Sequence, residues 1–443
     1  MGNFKLSFFK HFSLIAQKFV KLVSNANSFP GYLFFKFTSF EGLEYLGSGL
    51  SQGALLVTGT NGKTTTTTIL TKLFKEDMEI TKSYENNTIY AVMTSLLNSK
   101  SDLGVFEYGI RGKEYAFPDT VQKYLKPKCV VYTNISREHV QILNVKNSFN
   151  EYFDAKFLLS KDMDKGVVVV NSDNPFTNQI GLLSSDKVNN DFHINSYGFD
   201  CDMGSTLVEP TVECPVCGKP LNYSKYFVST SGIYSCDCGF SRIEPNIKVT
   251  NVKLNESSSI VTIKGEVYNC QINDTINIDL DVKLPLFGVH NVYNVLAAIT
   301  AYLSFTPNPK PVNETIKKVC GDLDFSILPP GRFELISSNN KLIGIGQGDN
   351  GGAFSANAQL MNSYAKGGLE FIYATPDEYE DEIFYDHLDV IRSVKPEHLI
   401  CIPGRTSVEQ AKKYYEILEK EFDSDFYELP IEELDKRIAK KEI

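Results

Sequence analysis

The chain has 443 residues, 42% of them hydrophobic, and carries a formal charge of −10 at pH 7. That length holds about two to four domains, and the acidity excludes a general nucleic-acid binder, whose phosphate contacts need clustered Lys and Arg. No apolar run reaches the roughly 20 residues that cross a bilayer.

In chain order, residues 1–48 read as a short helical region. Phe8, Phe12, Ile15, Phe19 and Leu22 recur at helical spacing, and Met1 to Phe40 contains five lysines and no acidic residue. Such a stripe is expected to dock on the next domain; the other reading is a peripheral contact with an anionic membrane surface. Lys18 and Lys21 interrupt the apolar stretch and no small-residue cleavage site follows, which argues against a signal peptide.

Residues 49–327 read as a central ATP-binding domain. An apolar run, Ala54 to Val57, feeds the turn Gly59-Thr60-Asn61-Gly62-Lys63-Thr64-Thr65, after which helical character begins. This is the pattern of a phosphate-binding loop: glycines let backbone amides approach phosphate oxygens, Lys63 supplies a cation, and the Thr64 hydroxyl ligates Mg²⁺. The strict pattern wants glycine at position 57, where this chain has valine. Further apolar runs, Leu103 to Phe106, Cys129 to Tyr132 and Val167 to Val170, alternate with helix-like stretches and predict an α/β fold with a parallel sheet. Several end in polar groups, Glu107 and Thr133-Asn134 among them, at the sheet edge where α/β proteins bind ligands.

Between about residues 201 and 249 the sequence turns short, polar and turn-rich around Cys214-Pro-Val-Cys217-Gly and Cys236-Asp-Cys238-Gly. Two close cysteine pairs flanking a hairpin-length segment predict a closed tetrahedral site for structural Zn²⁺. Cys129, Cys201, Cys270, Cys320 and Cys401 stand alone as thiols, which fits a reducing cytoplasm. Alternating β sequence follows through Ile260 to Val282, then a helix over Asn291 to Leu303. Past Ser326-Ile327-Leu328-Pro329-Pro330-Gly331, which reads as a linker, residues 328–443 form a C-terminal α/β domain of Rossmann-like pattern with apolar runs at Leu342 to Ile345, Leu369 to Tyr373 and Leu399 to Ile402.

Glu107, Thr133-Asn134-Ile135-Ser136-Arg137-Glu138-His139, Tyr152-Phe153-Asp154-Ala155-Lys156, Gly288 to Ala298 and Gly331-Arg332-Phe333-Glu334 follow the loop in order. Together they resemble the Mur ligase family from about Leu55 onward. The resemblance implies that Gly59 to Thr65 hold ATP, that Thr64 and Glu107 ligate one Mg²⁺, and that His139 ligates a second. It further implies that Lys156 is carbamylated into an anionic metal ligand, that Asn294 contacts adenine and that Arg332 reaches the γ-phosphate. The implied reaction is ATP-dependent amide-bond formation on a cell-wall stem-peptide precursor, pseudomurein or murein, nucleotide-linked or lipid-linked. A carboxylate would become an acyl phosphate and an incoming amino acid would displace the phosphate.

The four-cysteine ribbon and short N-terminal region resemble the MurT-like branch, whose members amidate glutamate in lipid-linked precursor with a glutaminase partner. That branch lacks the carbamylated lysine, whereas Lys156 stands here in the context Asp-Ala-Lys-Phe-Leu-Leu, and its acidic C-terminal motif is only loosely echoed at Asp377 to Asp386. A MurT-like scaffold that keeps the lysine is similar to the pseudomurein peptide ligases of methanogenic archaea. At Gly346-Gln347-Gly348-Asp349-Asn350-Gly351-Gly352 the chain departs from the ligases' Asp/Lys pattern.

Overall fold

The computed structural model describes residues 2–20, 28–83, 86–136, 148–202, 207–254, 258–285, 288–323, 333–338, 341–365, 368–377 and 381–428. The chain divides into two compact units. The first comprises Met1–Ser136, Phe149–Gly204 and Thr211–Pro329; the second comprises Arg137–Ser148, Ser205–Pro210 and Pro330–Ile443.

The first unit opens with two helices, α1 (Asn3–Val20) and α2 (Phe29–Gly47). Pro30 starts α2 where its missing amide hydrogen costs nothing, and Ser39, at φ 52°, kinks the helix. Phe9 and Leu14 turn inward against the core, Leu6 is buried, and Phe9 stacks on Phe37 of α2 at 4.7 Å. Of the expected stripe, Phe8, Phe12 and Ile15 are 58%, 44% and 55% exposed, with Phe12 meeting α2 only edge-on at Phe37, while Leu22 and the side chain of Phe19 lie outside the described residues. Helix α1 is apolar on two faces, and the face that packs is not the one the spacing picks out.

Then come β1 (Gly53–Thr58), α3 (Lys63–Lys75), β2 (Ile80–Ser83), α4 (Ile89–Leu97), β3 (Leu103–Glu107), α5 (Lys113–Ala116), α6 (Pro118–Leu125), β4 (Cys129–Tyr132), α7 (Ser148–Phe157), β5 (Gly166–Asn171), α8 (Pro175–Ser185) and β6 (Phe192–Phe199). A hairpin, β7 (Asn222–Val228) and β8 (Ser231–Ser235), precedes β9 (Ile247–Leu254), β10 (Ser259–Asn269), β11 (Asp274–Leu284), α9 (Val289–Phe305) and α10 (Val312–Gly321). One nine-stranded sheet runs β11-β10-β9-β6-β5-β4-β1-β3-β2. From β2 through β9 all pairings are parallel, while β10 and β11 are antiparallel.

The parallel strands are continuous apolar runs because both faces are covered. Leu55, Leu56 and Val57 are fully buried, each worth about 1.5–3 kcal/mol relative to exposure. The antiparallel pair instead alternates, with Ile276, Ile278, Leu280 and Val282 buried between exposed Asn277, Asp279 and Asp281. Helix α9 is buried over nearly its whole length and packs on α3 and the sheet.

The second unit contains the antiparallel pair β12 (Glu334–Ser338) and β13 (Lys341–Ile345), then α11 (Gly351–Tyr364), β14 (Glu370–Ala374), α12 (Asp381–Val394), β15 (His398–Ile402), α13 (Val408–Leu418) and β16 (Ser424–Phe426). Strands β14, β15 and β16 form a parallel sheet. Phe384, Leu388, Ile391, Leu399, Cys401 and Leu418 form its core. Among the described residues no helix is long and apolar enough to cross a membrane.

Candidate functional site

Strand β1 lies inside the parallel sheet between β3 and β4, and at its carboxyl end the connections that leave on either side make a crevice. The chain turns there through Gly59 (φ 150°) and Gly62 (φ 81°) into α3. Side chains are barred at both places: a Cβ on Gly59 would stand 1.9 Å from Thr133 Oγ1, and one on Gly62 would stand 2.1 Å from Asn294 Oδ1. Val57 occupies the position where the strict pattern has glycine because it is still in β1, opposite Val131 and Glu107 and fully buried.

The neighbouring strand ends hold the loop in shape. Thr60 N–H donates to the Asn134 carbonyl (2.7 Å), Asn61 N–H to Asn134 Oδ1 (2.9 Å), and Thr133 Oγ1 to the Asn61 carbonyl (2.6 Å). Thr60 Oγ1 also meets Tyr152 OH at 3.0 Å. Lys63 Nζ donates to the carbonyls of Gly59 (3.0 Å) and Thr60 (2.6 Å). The first-turn amides of α3 have no acceptor within the helix, and the dipole there favours an anion. Five consecutive threonines are weak helix formers; the buried hydroxyls of Thr67 and Thr68, and that of Thr71 further on, are satisfied by donating to carbonyls four residues back.

Thr64 Oγ1 donates to Glu107 Oε2 at 2.7 Å, and Asn87 Nδ2 donates to Glu107 Oε1 at 3.2 Å. Glu107 is 3% exposed and Thr64 6%. Adjacent oxygens of octahedral Mg²⁺ stand about 3 Å apart, so this hydroxyl–carboxylate pair has the chemistry and spacing of two neighbouring ligands. Lys156, on α7, is 1% exposed; its Nζ donates to the Gly59 carbonyl at 3.1 Å and lies 4.4 Å from the Tyr152 ring centre. An ammonium so enclosed is costly to desolvate. Glu107 and Lys156 are thus both tied to the loop, one through Thr64 and the other through Gly59.

The four expected cysteines come together. Their sulfurs all lie within 4.8 Å of one another, with Cys214–Cys238 at 3.7 Å and Cys217–Cys236 at 3.5 Å. Four sulfurs around Zn²⁺ at the usual 2.3 Å bond length stand about 3.8 Å apart, so the set fits the ion. Each pair sits on a tight knuckle: Gly218 N–H returns to the Cys214 carbonyl and Gly239 N–H to the Cys236 carbonyl, both at 2.9 Å. Backbone donation from Phe240 draws the Cys238 thiol down to about 7, while burial pushes Cys214 up to about 12.

The ribbon is anchored to the sheet edge through Asp173. That fully buried carboxylate accepts from Arg242 Nε (2.6 Å), Tyr293 OH (2.6 Å) and the Phe199 amide (2.7 Å). Arg242 also donates to the Phe199 carbonyl at 2.6 Å, and Tyr234 OH to the Ser172 carbonyl at 2.8 Å. Next in sequence, Asn174 exchanges two hydrogen bonds with Ile135, at 3.2 and 3.1 Å, on the strand end that grips the loop.

Residues 57–202 match the Mur ligase middle domain. Over 254 residues it is 28% identical to the MurT subunit of a lipid II isoglutaminyl synthase (glutamine-hydrolyzing) from Streptococcus pneumoniae, covering 55% of this chain and 51% of that protein. Over 140 residues it is 31% identical to a UDP-N-acetylmuramoylalanine–D-glutamate ligase from Caldicellulosiruptor bescii, covering 31% of this chain and 29% of that one. A pseudomurein peptide ligase type C from Methanothermus fervidus has the same fold, with a TM-score of 0.65 at 24% identity over 85% of this chain and 68% of that one. The chain spans about half the length of the MurT subunit it matches.

Within the matched residues 57–202 the structure brings together Gly59 to Thr65, Glu107 and Lys156. Asn294, on α9, joins them through its carbonyl, which accepts from Thr66 Oγ1 at 3.4 Å, and through its side chain against Gly62. His139 and Arg332 lie outside the described residues. Sequence reasoning missed Asn87, which orients Glu107, and the Asp173–Arg242–Tyr293 cluster. Tyr293, beside Asn294 in the quoted helix motif, and Arg242, within the cysteine-rich stretch, stood in segments the sequence had singled out, but Asp173 and Asn87 did not.

Proposed function

We propose that the protein is an ATP-dependent carbon–nitrogen ligase that adds an amino acid to a cell-wall stem-peptide precursor through an acyl phosphate. The observation that carries this reading is the buried lysine: Lys156 reaches the carbonyl of Gly59 in the same loop whose Thr64 is paired with Glu107. A simple nucleotide-binding turn has no need of that lysine.

In this reading the loop amides and Lys63 hold the triphosphate, Thr64 and Glu107 supply oxygens to Mg²⁺, and Asn87 keeps the Glu107 carboxylate turned toward Thr64. Mg²⁺, when bound, neutralises charge on the transferring phosphoryl group. Lys156, as a carbamate, provides an anionic ligand in place of a buried cation. His139 and Arg332 keep the roles the family resemblance gives them, and Asn294 borders the nucleotide site. The four cysteines hold one structural Zn²⁺ with no open position.

The purified protein is expected to release phosphate from ATP only with both a peptide precursor and an amino acid, and mass analysis of a pooled amino-acid reaction identifies the one joined. Lys156→Ala should be inactive and regain activity with a short added carboxylate; full activity without one would refute the lysine's role. A second reading is favoured by the MurT relative: a subunit that amidates glutamate using ammonia from a glutaminase. It predicts a stable complex with a glutaminase and glutamine-dependent transfer of one amide nitrogen.

A further inference from the structure

Helix α1 packs on α2 with one face and leaves a second apolar face uncovered. At about 100° per residue, Phe4, Phe8, Phe12 and Ile15 fall within one narrow arc, and they are 87%, 58%, 44% and 55% exposed. Phe37 of α2, 43% exposed, extends the patch, its ring edge-on to Phe12 with centroids 6.2 Å apart. Lys5 and Lys18, both exposed, border the arc on either side, and exposed Lys36 lies next to Phe37. No acidic residue occurs before Glu41, which follows the kink at Ser39, although the chain as a whole carries −10.

An uncovered aromatic stripe edged by lysines, on an otherwise acidic protein, matches the two halves of an anionic bilayer surface: acyl chains for the rings and phosphate headgroups for the ammonium groups. We propose that the α1–α2 face docks on anionic phospholipid, lying in the headgroup region without crossing it. The charge bias selects this occupant over a second copy of the chain, because two such faces would bring lysines against lysines. The inference does not rest on the ligase reading. It adds to it a position at the membrane surface, where a lipid-linked peptide would be within reach.

The test is flotation of the full chain with vesicles of phosphatidylcholine alone or mixed with phosphatidylglycerol, at low and high salt. Binding is expected only to the mixed vesicles and should weaken with salt. Phe8→Ser/Phe12→Ser should reduce partitioning about tenfold or more, and Lys5→Gln/Lys18→Gln about fivefold per lysine. Both variants alter exposed side chains, and an unchanged thermal transition verifies the fold; the lysine pair keeps the test decisive if the aromatic pair misfolds. The proposal is overturned by absence of binding to the mixed vesicles, by equal binding of the lysine variant, or by sedimentation showing a dimer that Phe8→Ser/Phe12→Ser abolishes without any vesicle binding.

Discussion

Arg242→Met tests how the ribbon is fixed to the sheet edge. In the native protein Asp173 is completely buried and its carboxylate receives three donors, of which only Arg242 carries charge. Methionine keeps most of the aliphatic volume but removes the cation and frees the Phe199 carbonyl. Stranding one member of a buried ion pair typically costs about 3–5 kcal/mol. Tyr293 and the Phe199 amide still solvate the carboxylate, so the value should fall near the lower end, about 3 kcal/mol.

Burial already holds the Asp173 carboxyl above its ordinary 3.8, opposed chiefly by Arg242. Without the guanidinium it rises further. A carboxyl whose folded-state value exceeds the unfolded one contributes its stability below the unfolded value and loses it as pH rises through the folded one. The deficit of Arg242→Met relative to the native protein should therefore be small near pH 4 and widen toward neutrality. Urea unfolding followed by far-ultraviolet circular dichroism reads this out; with no tryptophan in the chain, tyrosine emission serves as the second probe. Asp173→Asn combined with Arg242→Met should recover part of the loss by removing the stranded charge. A single-variant cost below about 1 kcal/mol, or a double variant less stable than the single, would refute the reasoning.

Metal analysis should find one zinc per chain, removed by strong chelators or by Cys236→Ser, and hydrogen exchange should then rise across Asn222–Val228 and Ser231–Ser235 while β1 and β4 stay protected. In the second unit, burial draws His387 down to about 3, and its Nδ1 meets Tyr373 OH at 3.0 Å. A base held neutral by the fold stabilises above its unfolded value of 6.5 and loses that contribution as pH falls toward 3. Each pH unit in that window should remove up to about 1.4 kcal/mol, a slope that His387→Phe flattens in a pH series of thermal melts.

The turn from Gly59 to Thr65 and the cysteine ribbon were legible because their backbone geometry is local. Glycines at fixed offsets from Lys63-Thr64, and two Cys-containing turns each ending in glycine, specify backbone shape within a few residues. The parallel strands were legible for a related reason: a strand buried on both faces must be apolar throughout, as β1, β4 and β5 are. Asp173, Arg242 and Tyr293 were not, since they come from three distant segments and each residue type is ordinarily a surface group or a packing element. The direction of α1 was hidden differently. Periodicity reveals that apolar faces exist, and only the packing with α2 decides which one is covered.

The ribbon interrupts the sheet's connection between β6 and β9, yet those strands remain parallel neighbours, with Tyr197 opposite Ile247. An insertion tolerated in this way needs only to leave and re-enter at one edge, and a zinc knuckle could have done so with no polar anchoring. Instead the ribbon's Arg242 and Tyr234 grip Asp173 and Ser172, while the adjacent Asn174 holds Ile135 and Asn134 holds Asn61. Buried polar contacts of this kind are costly unless every partner is in place, so their value lies in fixing one geometry. The geometry they fix is that of the β4 and β5 strand ends, against which the phosphate loop takes its shape. The ribbon is thereby joined, through those strand ends, to the turn from Gly59 to Thr65.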